Sequence, residues 1–193
     1  MHDGTYLSLS ADLRSRRPRG EAFEELGTDA EAPVCVELAP AKETLLLAKA
    51  RLVRAQCRKA IPVLPPTDEG FLVARAVSQE KGKVGMSVCS PAQALLASRA
   101  GATLVVIPGR VVSKAGQDAL ELAINCQKAL KGSKQSGQIL LSGPSPSQIT
   151  AAAAQRLDGV IADRATLKGL GEHHLSSALV SALAASAERL ANE

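Results

Sequence analysis

From residue 33 onwards, short apolar segments alternate with longer segments whose apolar residues have the spacing of helices. The apolar segments are residues 34–38, 61–64, 84–88, 104–107, 138–141 and 159–162. They lack the polar alternation of a sheet with one face in water, so we interpret them as strands of a parallel sheet covered on its faces. An α/β pattern of this kind allows two architectures, an open doubly wound sheet or a closed barrel.

Capping residues mark the ends of the helical segments. Thr67 is a good N-cap, and Asp68 and Glu69 place negative charge at the positive end of the helix that follows. Gly82 and Gly101 are of the residue type that commonly ends a helix. We predict helices at residues 42–58, 68–81, 91–100, 117–131, 146–155 and 175–191, a short helix from residue 164, and a loop at residues 108–110.

The chain divides into two regions of different character. Residues 1–32 are polar and have no clear period, and we interpret them as an N-terminal arm with a candidate strand at residues 5–9. Residues 33–193 form the α/β domain. The whole chain has 193 residues, whereas a complete eight-unit barrel typically needs roughly 250. A barrel built from this chain is therefore expected to be incomplete at its N-terminal strands.

Composition and missing motifs exclude several classes of function. Aromatic residues make up 2% of the chain, too few for a platform that stacks nucleic-acid bases. The chain has neither the GxGxxG nor the GxxxxGK[ST] loop, so we do not expect a dinucleotide or P-loop site. Its four cysteines form no CxxC pair, so we expect no metal and no cofactor.

The same features indicate where the protein works. The unpaired cysteines suggest a reducing compartment, and the chain has no apolar run long enough for a membrane helix. We expect a cytoplasmic protein, with an organelle lumen as the alternative. The net charge is +4, part of it in the cluster Arg14, Arg16, Arg17 and Arg19, which we interpret as a solvated basic tail.

Three motifs in residues 64–111 give the chain a family resemblance. They are Pro65, Thr67, Glu69 and Gly70 in the pattern PxTxEG, the triplets AQA at residues 92–94 and AGA at 100–102, and Gly109 with Arg110 after the next strand. In this order and spacing they resemble the transaldolase family, including its fructose-6-phosphate aldolase branch. The resemblance continues more weakly to Leu170 and implies a (β/α)8 barrel.

The resemblance also implies a mechanism that this chain cannot perform in the usual way. The family uses a strand lysine to form a Schiff base with a ketose phosphate, because the iminium then accepts electrons during carbon–carbon cleavage. The matching position here is Val63, while Lys59 and Lys83 belong to the opposite ends of their strands. Ile107 and Pro144 occupy two further positions where the family has polar or basic groups. We therefore expect no catalytic residue and no aldolase activity.

Two residues remain as candidates for binding phosphate, Arg110 and Ser142. We interpret the protein as a transaldolase-like pseudoenzyme, a structural, assembly or regulatory subunit that still binds a sugar phosphate. We expect a homo-oligomer or a larger protein assembly, no membrane insertion and no nucleic-acid partner. Two alternatives stay open: an active transaldolase or aldolase with a relocated lysine or a partner-completed site, and a phosphate barrel of the keto-deoxy-phosphogluconate aldolase or thiamine-phosphate synthase type.

Other residues that carry chemistry have ordinary explanations. Cys89 follows a strand but has no histidine base nearby in the sequence. Asp158 and Asp163 flank the last strand, and we interpret them as turn residues instead of an acid–base pair. His173 and His174 are adjacent but lack further residues at metal-ligand spacing, so we interpret them as an exposed pair.

Overall fold

The computed structural model describes residues 7–8, 34–171 and 174–191. The strands are β1 (Leu7–Ser8), β2 (Val34–Glu37), β3 (Ala60–Leu64), β4 (Gly85–Ser87), β5 (Leu104–Pro108), β6 (Gln138–Ser142) and β7 (Gly159–Ile161). The helices are α1 (Glu43–Gln56), α2 (Asp68–Gln79), α3 (Pro91–Arg99), α4 (Gly109–Lys114), α5 (Ala119–Gly132), α6 (Pro146–Ala154), α7 (Arg164–Gly169) and α8 (His174–Ala191).

All described strands are parallel and pair in the order in which they follow along the chain. A doubly wound sheet reverses its strand order at a switch point, and this sheet has no such reversal. The sheet curls into a half-barrel with helices between its strands. In the described part of the chain, β1 and β7 are its two edges and do not pair with each other. The predicted incomplete (β/α) barrel is thus confirmed.

Alternate residues of the central strands enter two separate apolar cores, and Val34 and Val36 of β2 belong to a third, smaller cluster with Val53 of α1. One core lies between the sheet and the helices and includes Leu64, Met86, Ile107, Ile139 and Leu141. The other lies on the concave face of the sheet, which we call the interior face. Its members are Cys35, Ile61, Val63, Leu104, Val106, Leu140 and Ile161. Both faces of the strands are therefore buried, which explains why the strands are apolar without alternation.

The candidate strand in the arm is confirmed at its centre. Leu7 and Ser8 pair with Val34 and Cys35 of β2, which places β1 at one edge of the sheet. The rest of the predicted arm lies outside the described residues. The predicted helix at residues 175–191 is also confirmed, beginning one residue earlier at His174.

Two local predictions were wrong. The predicted loop at residues 108–110 contains the start of α4, because Gly109 and Arg110 already form its first turn. Gly82 was expected to end α2, but the left-handed residue there is Lys81, with φ of 58°. The amide of Gly82 then donates to the carbonyl oxygen of Val77 at 2.9 Å, as in a Schellman motif.

Candidate functional site

The carboxyl ends of the strands form the candidate site, since ligands of barrel proteins bind at this end of the sheet. Glu37, Ser87 and Ser142 are the last residues of β2, β4 and β6, and all three are half-buried. Their positions alternate with the interior residues Cys35, Gly85 and Leu140, so they share the interior face. The interior face therefore has an apolar floor and a rim of polar groups.

Val63 belongs to the apolar floor. Its exposed fraction is 2%, and it packs in the interior core with residues of the neighbouring strands. Gly85 is its partner on β4, and a Cβ added there would lie 3.1 Å from a methyl carbon of Val63. The position that the resemblance assigns to a Schiff-base lysine thus faces the interior, but it holds a close-packed hydrocarbon.

Glu37 is a site residue that the sequence analysis missed. Its Cα pairs with that of Val63 across β2 and β3, and paired residues of adjacent strands share a face. Burial and the Glu37 carboxylate, in that order, raise the pKa of the Cys35 thiol to about 12, which places the carboxylate near this interior cysteine. Cys35 and Glu37 are two residues apart in β2, and residues with this spacing share one face of a strand. This spacing was the sequence signal that could have placed Glu37 on the interior face.

Arg110, Ser142 and Asp163 follow the ends of three adjacent strands. Pro108 pairs with Ser142, so Arg110 begins its helix close to the end of β6. The Arg110 side chain passes over Gly143, where an added Cβ would lie 3.1 Å from its Cγ. The guanidinium donates to Asp163 Oδ2 at 2.6 Å. The two candidate phosphate ligands therefore lie at the carboxyl ends of the neighbouring strands β5 and β6, and Arg110 has an acidic partner that the sequence did not reveal.

Asp163 has two roles at this end of the sheet. It is the N-cap of α7, where its Oδ1 accepts from the amide of Thr166 at 2.8 Å. Hydrogen bonds from Thr166, followed by the bond and charge of Arg110, lower the pKa of Asp163. The carboxylate is thus held charged beside Arg110, so a phosphate group that binds Arg110 must displace or tolerate it.

The motifs that carry the family resemblance serve the fold. Thr67 caps α2 by accepting from the amide of Gly70 at 3.1 Å. A Cβ on Gly70 would lie 2.0 Å from the Pro65 carbonyl oxygen, so only glycine fits there. Gln93 accepts from the amide of Cys89 at 2.8 Å, and Gly101 has φ of 93°. Thr67, Gly70 and Gln93 shape the helix starts at the carboxyl end of the sheet, whereas Gly101 follows α3 at the amino end. None of them contributes a reactive group.

Ile107, which the resemblance aligns with a polar position of the family, lies on the helix-facing side of β5. It belongs to the core between sheet and helices, so it faces away from the interior and is not evidence about a missing proton-transfer residue. Val106 and Pro108 are its interior-facing neighbours on β5 by alternation. Pro144 is buried in the loop after β6. Val63 is therefore the position that carries the argument about catalysis.

The remaining candidates do not form a second site. Burial raises the pKa of Cys89, the opposite of what an activated thiol needs. Asp158 accepts from the amide of Ile139 at 2.8 Å at the amino end of the sheet, away from Asp163. The side chains of His173 and His174 lie outside the described residues. In the ranges that the structure describes, no three His, Cys, Asp or Glu side chains are placed to hold a metal ion.

No lysine occurs in any of the seven described strands. Lys59 immediately precedes β3 and Lys83 lies just before β4, so both are at the amino end of the sheet, as the sequence analysis predicted. Both line a cavity there, away from the candidate site. Among the described helices, none is both long and apolar enough to cross a bilayer.

The chain is similar in sequence to proteins named probable transaldolases. The chain is 31% identical over 140 residues to a probable transaldolase of Sorangium cellulosum, covering 72% of this chain and 64% of the relative. It is 29% identical over 177 residues to a probable transaldolase of Brucella anthropi, covering 90% and 81% of the two chains. No protein-family model matches the chain.

Solved structures show the same fold. FabK from Thermotoga maritima and its M276A mutant have TM-scores of 0.52 and 0.53, at 16% and 17% identity. Both alignments cover 73% of this chain, but only 44% and 47% of the FabK chains. At this identity the likeness concerns the fold alone, and it places the chain among the β/α-barrel proteins. The named relatives then identify it further: the chain is a transaldolase-like protein.

Proposed function

We propose that this protein is a transaldolase-like subunit that binds a phosphorylated sugar without cleaving it. The observation that carries the proposal is Val63, which is buried in the interior core where a Schiff-base amine is required. No other described strand residue supplies an amine, and no other side chain forms the iminium on which the cleavage depends. The relatives support a family that works on sugar phosphates, although the chain spans 64% of the Sorangium relative.

The polar rim supports binding of such a ligand. Arg110 is 71% exposed at the side chain and offers a fork of donors that suits phosphate oxygens. Ser142 and Ser87 supply hydroxyl groups, and Glu37 supplies carboxylate oxygens that accept hydrogen bonds from sugar hydroxyls. In this proposal the protein acts as a subunit of a homo-oligomer or a larger assembly, and the sugar phosphate regulates that assembly.

Two measurements test the proposal. Borohydride reduction in the presence of fructose 6-phosphate converts any imine into a stable adduct, and we expect the mass of the protein to stay unchanged. An adduct would instead support an active enzyme with a relocated lysine. A thermal-shift titration with fructose 6-phosphate is expected to raise the melting temperature of the wild type but not of Arg110→Ala, because only a ligand of the folded state stabilises it. Without a shift at millimolar ligand, the proposed binding would be wrong.

A further inference from the structure

A cluster of basic side chains lies at the amino end of the sheet, opposite the candidate sugar-phosphate site. A cavity of ≈ 450 Å³ is lined there by Arg54, Arg58, Lys59, Lys81 and Lys83, together with Ala60, Ile61 and Gly82. We call it the basic cavity. Its volume lies in the lower part of the range for small-molecule sites, roughly 300–1,000 Å³.

The charges of the basic cavity exceed what the neighbouring helix ends explain. Helices α1 and α2 both end at this edge, and cations near a helix C-terminus are stabilised by its dipole. That effect falls off within the last turn, which includes Arg54. Arg58, Lys59 and Lys83 belong instead to the turns that lead into β3 and β4. Bringing Arg58 and Lys83 together is unfavourable unless an anion joins them.

Glu80 is the acidic partner of Arg54 at the cavity wall. Its carboxylate binds Arg51 at 2.5 Å and Arg54 at 3.2 Å, and the bond to Arg51 is the main cause of its lowered pKa. Gly82 lets the Arg54 guanidinium lie across the backbone, since an added Cβ would be 2.3 Å from its Cζ. One carboxylate is thus shared between two guanidinium groups, and it holds Arg54 at the cavity wall.

Lys81 occupies a backbone conformation that a side chain disfavours. Its φ is 58°, at the left-handed position after α2 where glycine is the usual residue. Gly82 follows directly, so a glycine one residue earlier would have fitted the turn without strain. Lys134 and Arg156 adopt the same conformation after α5 and α6, so a basic residue in this position is a recurring helix end in this chain. Lys81 contributes one of the exposed ammonium groups of the cavity.

From these observations we propose that the basic cavity binds a compact polyanion with two or more linked phosphate groups. A single phosphate monoester carries a charge of about −1.5 to −2 at pH 7. The basic residues that line the cavity exceed this charge even without Arg54, which binds Glu80, and Lys59. A polyphosphate chain has more charge within a similar volume. The group is either inorganic polyphosphate or the polyphosphate tail of a nucleotide, which present the same oxygens to lysine and arginine side chains.

Isothermal titration calorimetry on the full chain at fixed ionic strength tests the proposal. The probes are orthophosphate, pyrophosphate, inorganic triphosphate and ATP. We expect triphosphate to bind at one site per chain, at least tenfold more tightly than orthophosphate. Equal affinities for triphosphate and ATP would assign recognition to the phosphates, whereas tighter ATP binding would add contacts to the nucleoside. No heat of binding with triphosphate or ATP at millimolar concentration would overturn the proposal.

A matched pair of variants locates the site. Lys81→Gly removes a cavity charge and relaxes the left-handed turn, so it is expected to fold and to weaken triphosphate binding at least fivefold. Lys134→Gly is the control, because Lys134 has φ of 52° after α5 but does not line the cavity. It changes the same charge in the same conformation, and we expect less than a twofold effect. Equal weakening in both variants would mean diffuse attraction to a basic surface, and the proposal would be wrong.

A second pair separates this site from the proposed sugar-phosphate site. Gly82→Ala places a methyl group against the Arg54 guanidinium and is expected to weaken triphosphate binding without affecting fructose 6-phosphate. Arg110→Ala is expected to do the reverse. Loss of triphosphate binding in Arg110→Ala would place the polyanion at the carboxyl end of the sheet and refute the basic cavity as its site.

Discussion

Replacing Val63 by lysine tests whether the interior face is dry at the position that the family uses for chemistry. Val63 is 2% exposed, and its interior neighbours are apolar apart from the cross-strand partner Glu37. A lysine there loses the hydration of its ammonium group unless Glu37 replaces that hydration. We therefore consider Val63→Lys both alone and together with Glu37→Gln.

The expected cost follows from the pKa of the new lysine. Its ordinary pKa is ~10.4, so holding it neutral at pH 7 costs ~4.6 kcal/mol, at about 1.36 kcal/mol per pH unit. This applies to the double variant, where no carboxylate faces the amine. With Glu37 present, an opposite charge within hydrogen-bonding reach offsets about one to three pKa units, or roughly 1.4–4 kcal/mol. The loss is a large part of the 5–15 kcal/mol by which domains are typically stable.

The pH dependence has a definite sign. The folded-state pKa of the buried lysine is lowered, so at pH 7 the unfolded chain binds more protons and stability rises with pH. At pH 9.5 the cost in the double variant falls to about 1.2 kcal/mol by the same factor per pH unit. The comparison variant Val63→Met combined with Glu37→Gln carries the packing change without the charge, and its stability relative to Glu37→Gln is expected to be independent of pH.

Urea denaturation at pH 7 and pH 9.5 measures these differences through the midpoint and slope of each unfolding curve. A Lys-minus-Met difference that is the same at both pH values would refute the argument, because it would mean that the amine at position 63 is hydrated. A difference unaffected by Glu37→Gln would mean that Glu37 does not face Val63. If the lysine variant folds, borohydride trapping with fructose 6-phosphate shows whether the interior still admits a ketose.

Two further predictions concern residues around the site. Gly70→Ala is expected to destabilise the protein by about 1–3 kcal/mol, because the new Cβ meets the Pro65 carbonyl oxygen. In Gly132→Ala the new Cβ meets no atom within 4 Å, so this variant is expected to stabilise the protein by up to about 1 kcal/mol. If both variants changed the stability in the same direction in thermal unfolding, the close approach of Gly70 to Pro65 would be contradicted. Asp163→Asn keeps the N-cap of α7 but removes the charge beside Arg110, so we expect fructose 6-phosphate to bind more tightly in calorimetry, and unchanged or weaker binding would exclude phosphate at Arg110.

Local residue chemistry made most of the fold predictable. Thr67 and Ser90 were recognisable as N-caps, and both accept from the backbone amide three residues later. The apolar strands predicted a sheet buried on both faces, which the two cores confirm. The choice between an open sheet and a barrel depended on the family resemblance, because strand order is set by long-range pairing that no local pattern records.

The parts that the sequence did not reveal depend on tertiary geometry. Ile107 is one of five successive residues of β5, and only the observed register shows that it faces the helices. The left-handed residue after α2 is Lys81, although glycine is the usual residue at that position. A rule that looks for glycine therefore selects Gly82 and places the end of α2 one residue too late. Arg110 and Asp163 are 53 residues apart, and their contact requires β5, β6 and β7 to lie side by side.

The two ends of the sheet have different relations to the family chemistry. At the carboxyl end, the fold itself requires Gly70 of the resemblance motifs, because a Cβ there would meet the Pro65 carbonyl oxygen. Val63, whose identity the fold does not dictate, is where the chain departs from the family. At the amino end, the basic cavity brings Lys81 together with Arg58 and Lys83, where the family resemblance predicts no chemistry. The basic cavity is therefore where an activity peculiar to this chain is best sought.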